Sequence, residues 1–394
     1  MDKRSTKVTK TYDVVIIGAG LAGLQCARLL GARGFSVLLV DRKKDLTAGV
    51  HTTGIFVRKT FEDFDFPSGC LGKPISDVTL YSPRLKTLDL CSEKAEFQVG
   101  KMGLLYKDLL QQCVDAGVEF ANKTRYLGCS PGPGGSTVGI EKDGRKIEVK
   151  TKVLIGADGV NSRVARDLKL DENKEWIVGF EEVYHAEQST RTSRLHCFLD
   201  ADLAPGYLAW IADDGEEIHI GVGGYSASFD PRKALKLFKE KVATKFQDLA
   251  AAEPAETRGG RIPVGGILRK IANEKGLLIG DAAGAVSPLT AGGLDPCMRL
   301  STYAAEIIEK RLRMDSSSVL LEYSGEQFRS RFVSRLWMRR IISLFTNQTC
   351  LELVCFFLRR AIGQKLAKHI FFGRGSFPDL KARKEQILFG RTGY

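Results

Sequence analysis

Long hydrophobic runs are missing from this chain. No stretch reaches the roughly 18–20 apolar residues that a membrane-spanning helix needs, so a chain threaded through a bilayer is not expected. The first residues, MDKRSTKVTKTYD, are basic and polar and have no apolar centre. They are not expected to act as a secretory signal. Cysteine is present nine times, an odd number, scattered and without a C-x-x-C pair. That excludes a disulfide framework and points to a reducing, cytoplasmic setting. Five histidines, His51, His185, His196, His219 and His369, include no two at ligand spacing, so no metal site is expected. There is no internal repeat, no catalytic triad and no acid pair. One dinucleotide fingerprint occurs and no second one, so a separate NAD(P)H domain is excluded. Nothing points to nucleic acid.

With 394 residues, 43% of them hydrophobic, the chain can bury a large core and suggests two intertwined domains. The net charge of +12 is unevenly placed. Residues 310–394 hold 17 Lys and Arg against 6 Asp and Glu, which accounts for nearly all of it. A basic C-terminal segment suits an anionic membrane surface or an acidic partner, and equally an Arg-rich solvated face.

The strongest signal is near the N-terminus. Tyr12 to Ile17 (YDVVII) is the short β-branched run of a buried parallel strand. Gly18-Ala19-Gly20-Leu21-Ala22-Gly23 follows, then a helix-spaced segment, then a second strand from Ser36 to Val40 that ends in Asp41 and Arg42. Gly18 permits the tight turn, Gly20 lets backbone approach a pyrophosphate, and Gly23 lets helix and strand pack closely. The helix N-terminus stabilises the phosphate charge. Asp41 stands where an acid binds ribose hydroxyls. Leu21, Ala22 and Arg42 are assigned to the same site. Taken alone, this motif does not separate FAD from NAD.

Two further motifs narrow the choice. LIGADGVNSRVAR, from Leu154, contains Asp158, Gly159, Ser162 and Arg163. GLLIGDAAGAVSPLTAGGLDPCMRLS, from Gly276, contains Gly280, Asp281, Pro288, Ala291, Gly292 and Gly293. Asp281 at a strand end suits a ribityl hydroxyl. Gly292 and Gly293 open an amphipathic helix whose free N–H groups suit negative charge at flavin N1 and O2. In this order the three motifs resemble the flavoprotein family of para-hydroxybenzoate-hydroxylase type, across roughly residues 10–310. The resemblance implies FAD as cofactor, with the ADP part at the first motif, the pyrophosphate near Asp158 and the ribityl chain at Asp281.

The expected fold is α/β: a Rossmann-type FAD-binding domain, with parallel sheet, helices and a β-meander, interleaved with an antiparallel-sheet substrate domain and a C-terminal helical region. The FAD-binding pieces are placed at 10–75, 100–180 and 258–312, the substrate domain at 76–99 and 181–257, and a basic helical cap at 313–394. The meander lies around the Pro-Gly-Gly and Asp-Gly turns of residues 131–144. Residues 181–225 read as sheet strands and 231–247 as an amphipathic helix.

Gly259 to Gly266 (GGRIPVGG), Gly280 to Gly293, and Pro205-Gly206-Tyr207 with Trp210 resemble the geranylgeranyl reductase branch of that family. That branch carries a Tyr-x-Trp-x-Phe-Pro motif that shapes the channel over the flavin. Here Trp210 is present, Leu208 stands for the Tyr, and Ala212-Asp213 replace Phe-Pro. The resemblance implies an FAD-dependent reductase of C=C bonds in an isoprenoid or other apolar substrate, with hydride from flavin N5. A flavin-dependent monooxygenase using a C4a-(hydro)peroxyflavin is the alternative, a hydroxylase before a halogenase. Non-redox or structural use of FAD is a third. An external reductant is implied, NAD(P)H or a reduced carrier, including an electron-donor protein.

Catalytic chemistry would be borne by the flavin, with Trp210, Tyr207 and His51 as candidate protein groups. Arg58, shortly after His51-Thr52-Thr53-Gly54, is a further candidate to face substrate or cofactor, against ordinary turn stabilisation. Cys297 sits at a helix start, where a thiol pKa can fall, but the expected reading is a buried structural thiol. Bulky residues from Phe345 to Leu358 alternate with Arg and Lys clusters. Either they cap the substrate domain or they make peripheral contact with the inner face of a membrane.

Overall fold

The computed structural model describes residues 8–186, 192–225, 229–246, 253–329, 332–343, 347–373 and 378. Its first sheet has the core order Ala272–Asn273, Gly276–Leu278, Arg145–Gly156, Val8–Ile17, Val37–Val40, Glu119–Ala121. The centre is parallel, with Val14 opposite Val153 on one side and Val37 on the other. Val14, Val15 and Ile16 are fully buried, as expected for a strand covered on both faces. The helix Leu21–Gly31 covers the sheet and packs on the helices Met102–Asp115 and Leu294–Met314. The meander is present as the strands Thr124–Gly132, Gly135–Lys142 and Arg145–Gly156. The last strand is long enough to serve both meander and parallel sheet.

A second sheet has seven strands in the order Glu256–Pro263, Trp176–His185, Glu217–Gly224, Ala209–Asp213, Arg194–Phe198, Asp77–Tyr81, Thr87–Cys91. Only the pair Arg194–Phe198 and Asp77–Tyr81 runs parallel. One face carries Tyr184, Phe198, Ile218, Ile220 and Val222, which pack on the helix Pro231–Val242 through Leu235 and Phe238. Asp230 caps that helix, accepting from the Arg232 and Lys233 amides, and Pro231 supplies a preset first turn. The other face looks into a cleft. The strands Trp176–His185 and Glu256–Pro263 belong to this sheet along their whole length. Its edges therefore fall near 176 and 263, not at the expected 181 and 257, because a ladder pairs complete strands.

Three C-terminal helices follow, Val333–Ser343, Gln348–Leu358 and Ala361–Phe372. The last contacts the edge strand Thr87–Cys91 of the second sheet, and its Ala367 shares a buried apolar cluster with Val78 and Leu80 of that sheet. Phe345 and the basic tail lie outside the described residues.

Candidate active site

The glycine turn is built by contact. Gly18 has φ +105°, and a Cβ there would stand 2.2 Å from the Ala157 carbonyl oxygen. A Cβ on Gly23 would stand 1.9 Å from the Gly18 carbonyl oxygen. At Gly20 a Cβ would meet nothing within 4 Å, so backbone is open to a ligand. Asp41 ties the two strand ends together: its carboxylate accepts from Ala19 N at 2.7 Å and Lys43 N at 2.8 Å. Gly18, Gly20, Leu21, Ala22, Asp41 and Arg42 all line one cleft of about 1240 Å³. Gly23 does not line it; its part is the helix-to-turn contact.

Asp158 and Gly159 meet the same cleft from the neighbouring strand end. Asp158 accepts from Ser162 Oγ at 2.6 Å and from Arg163 N at 2.8 Å, so it organises the turn into the helix Arg163–Asp167. Burial raises its pKa, and the Ser162 hydrogen bond opposes the rise. Gly159 is open, with nothing within 4 Å of a Cβ. Gly280 and Asp281 lie opposite. Among the described residues no side-chain hydrogen bond engages the Asp281 carboxyl, and burial raises its pKa from 3.8 to about 6. Ala291, in left-handed conformation at φ +51°, closes the turn before Gly292 and Gly293. All three line the cleft, and Gly293 is the cap position of the helix Leu294–Met314, with no side-chain cap. Pro288 lies behind the lining; its carbonyl accepts from Arg339.

The sheet face over this cleft is bare by design of sequence. Gly179, Gly221 and Gly223 leave room for two rings. A Cβ on Gly221 would sit 2.2 Å from the Trp210 ring, and one on Gly223 2.7 Å from the Tyr207 ring. Tyr207 donates to the Thr290 carbonyl at 2.7 Å, and Trp210 Nε1 donates to Glu181 at 3.3 Å. Glu181 also accepts from Thr53 of the His-Thr-Thr-Gly loop. Buried around it are Arg258, 3.7 Å away, and His219, also at 3.7 Å. His51 is exposed at the cleft wall, its pKa lowered by burial of part of the ring and by Lys43.

Two further candidates are placed by the structure. Arg58 turns away from the cleft to Glu62 and Glu96, each at 3.3 Å. Cys297 lines the cleft, but burial raises its thiol pKa, so the helix start does not activate it. Sequence reasoning missed Lys43, Tyr106, Glu181, Arg258, Arg335 and Arg339, all of which line the cleft. Glu181 and Arg258 come from neighbouring strands, Tyr106 from the helix Met102–Asp115, and Arg335 and Arg339 from the helix Val333–Ser343, so only tertiary packing brings them together.

Beyond Tyr207 and Trp210 the cleft continues as an apolar chamber. Leu80, Leu195, Cys197 and Leu199 come from the second sheet, and Leu358, Phe371 and Phe372 from the C-terminal helices. The whole volume exceeds the roughly 300–1,000 Å³ usual for one small ligand.

The residues present fit FAD. Backbone at Gly20 and Gly159 is open for a diphosphate, Asp281 offers an unengaged acceptor to a hydroxyl, and the uncapped start of Leu294–Met314 would suit negative charge on the reduced ring. Residues 72–339 match the FAD binding domain family, and residues 13–71 match the FAD dependent oxidoreductase family. The chain belongs to this family of FAD-dependent oxidoreductases. The flavoprotein is 30% identical over 338 residues to digeranylgeranylglycerophospholipid reductase 1 of Methanopyrus kandleri, covering 82% of this chain and 88% of the relative. It is 27% identical over 359 residues to digeranylgeranylglycerophospholipid reductase of Methanocaldococcus jannaschii, covering 86% and 89%. Its fold matches a geranylgeranyl bacteriochlorophyll reductase-like protein from Thermoplasma acidophilum, with TM-score 0.80 and 18% identity over 96% of this chain and 99% of that one. A flavin-dependent brominase shares the fold at TM-score 0.66 and 17% identity, covering 97% and 100%. No helix among the described residues is long and apolar enough to cross a membrane.

Proposed function

We propose that this flavoprotein saturates carbon–carbon double bonds in the prenyl chain of a lipid. The observation that carries the reading is the apolar chamber, which is part of the same cavity as the cofactor cleft and is lined by Phe371, Phe372 and Leu358. When bound, reduced FAD would supply the hydride, and a proton that originates from solvent would complete the addition. The protein's part is to hold the chain and exclude water. Trp210 and Tyr207 are locked flat on the glycine-bared sheet by Glu181 and the Thr290 carbonyl, and they make a rigid wall at the junction of cleft and chamber. The Tyr-x-Trp-x-Phe-Pro departures fit this role: Leu208 adds apolar lining, while Asp213 holds the following turn by accepting from Gly215 N. An external reductant, NAD(P)H or a reduced carrier protein, would recharge the cofactor; the sequence carries a single dinucleotide fingerprint.

The C-terminal cap supports contact with a lipid surface. Leu353, Phe356, Phe357, Ile362 and Leu366 are exposed, Ile362 at 85%. Arg359, Arg360, Lys365 and Lys368 stand among them. Apolar groups that insert beside cations that meet lipid phosphate are the composition of an interfacial helix pair. The relatives are named for a glycerophospholipid substrate.

The test is anaerobic. FAD-loaded protein reduced with dithionite is mixed with a geranylgeranyl-chain glycerophospholipid, and the product is weighed by mass spectrometry. One H₂ gained per double bond supports the reading. An unaltered lipid together with oxygen incorporation after exposure to O₂ would overturn it in favour of the monooxygenase.

A further inference from the structure

A surface helix ordinarily turns its apolar residues to the core and its cations to water. The helix Val333–Ser343 departs from this on one face, although Arg340 is exposed in the usual way. Trp337 and Ile341, one turn apart, are 59% and 52% exposed, whereas Arg339 is 4% exposed. Arg335 and Arg339, also one turn apart and therefore neighbours on one face, both line the cleft.

Their partners are neutral. Arg335 Nη1 donates to Ser287 Oγ at 2.9 Å. Arg339 donates to the Pro288 carbonyl at 2.5 Å and to the Tyr225 hydroxyl, and its guanidinium lies 4.4 Å from the Tyr225 ring centre. Arg339 Nη2 is buried with no partner. Asp295 is the acid whose field reaches Arg335, and it is already engaged by Arg299 at 2.8 Å. Among the described residues neither arginine has a carboxylate within 4.0 Å. Guanidinium groups in a cleft wall without a counter-charge are strongly unfavourable, and they are retained where an anion completes them. A pair of planar forks with a hydroxyl beside them matches the oxygens of a phosphate ester.

We infer that Arg335, Arg339 and the Ser287 hydroxyl form an anion site for the phosphate-ester head of an amphiphilic substrate. The prenyl chain then runs from this site past Tyr207 and Trp210 into the chamber around Leu195, Leu199 and Phe371. The outward Trp337 and Ile341 place the same helix at a lipid surface, so one element receives the head on its inner face and meets the bilayer on its outer face. The nature of the chain rests on the function proposed above; the anion site does not.

Calorimetric titration of the full-length, FAD-loaded protein tests this with three probes: geranylgeranyl monophosphate, geranylgeraniol and inorganic phosphate. The expected result is binding of the prenyl phosphate at least ten-fold tighter than either the alcohol or inorganic phosphate. Arg335→Gln and Arg339→Gln should each weaken the prenyl phosphate about ten-fold and leave the alcohol unchanged. Arg339 also braces the Pro288 turn, so its loss can loosen the cap. Arg335→Gln removes one hydrogen bond to a hydroxyl and gives the clean reading, with Arg335→Lys restoring part of the affinity. Equal affinity for alcohol and phosphate, or an Arg335→Gln protein that binds both like the wild type, overturns the site. Inorganic phosphate binding as tightly as the prenyl phosphate overturns the assignment to a lipid head. A phosphate preference without any double-bond reduction sinks the proposed reaction and leaves the anion site standing; reduction without that preference does the opposite.

Discussion

Replacing Asp281 with Asn should stabilise the empty protein at neutral pH and weaken its hold on FAD. Burial raises the Asp281 pKa from 3.8 to about 6. The folded state therefore binds more protons than the unfolded chain between those values, and stability falls as pH rises through that window. The whole shift corresponds to about 3 kcal/mol. Asp281 keeps part of its surface along an open cleft, and solvent screening reduces the expected effect to about 1–2 kcal/mol. Asn has the same shape and no charge to desolvate. Urea unfolding of FAD-free wild type and Asp281→Asn at pH 4, 5, 6 and 7 should give converging stabilities near pH 4. Near pH 7 the variant should lead by about 1–2 kcal/mol. FAD binding should change in the opposite sense, because a hydroxyl loses a charged acceptor, weakening affinity by roughly five- to thirty-fold. Parallel pH curves for the two proteins, or undiminished FAD affinity in the variant, would refute the placement of Asp281 as a desolvated acceptor.

Three other outcomes are expected. Gly23→Ala forces a Cβ to within 1.9 Å of the Gly18 carbonyl oxygen, and backbone cannot yield as a side chain can. It should cost about 1–3 kcal/mol of stability and leave the purified protein without yellow colour; a full flavin complement would count against the close-packed turn. Arg299 is fully buried between Asp63 and Asp295, at 2.8 Å from each. Arg299→Ala removes the cation the two acids share and leaves Lys59 on Asp63 and Thr60 on Asp295, so denaturant unfolding should show a loss of about 3 kcal/mol, the lower end for a broken buried pair. Cys297→Ala should keep FAD binding and turnover, and the wild type should resist iodoacetamide at pH 8, since burial raises this thiol; rapid inactivation by alkylation at Cys297 would contradict that.

The motifs that could be read from the chain were those whose constraint is local. Gly18, Gly20 and Asp41 work within one strand-turn-helix-strand unit, where spacing along the chain is nearly spacing in space. Trp210 was noticed as a motif residue, but its wall position depends on Gly221 of the neighbouring strand and Glu181 of the next. Arg58 shows the converse: its loop was identified, and the direction of its side chain was set by Glu96 across a two-stranded ladder. For Cys297 the helix position left both an activated and a buried thiol open, and only the packed fold supplies the burial that raises its pKa.

Sequence by itself determined the cofactor half of this protein. Glycines at fixed spacing, buried β-branched strands and acids at strand ends are demanded by backbone geometry and dinucleotide chemistry, and few alternatives satisfy them. The substrate half was decided only by tertiary structure. The chamber draws on strands near residues 80 and 195 and on helices near 335 and 370, and the inward turn of Arg335 and Arg339 reverses what helix composition implies. Which face of a helix meets a cleft is fixed by docking across the fold, and no local pattern encodes it.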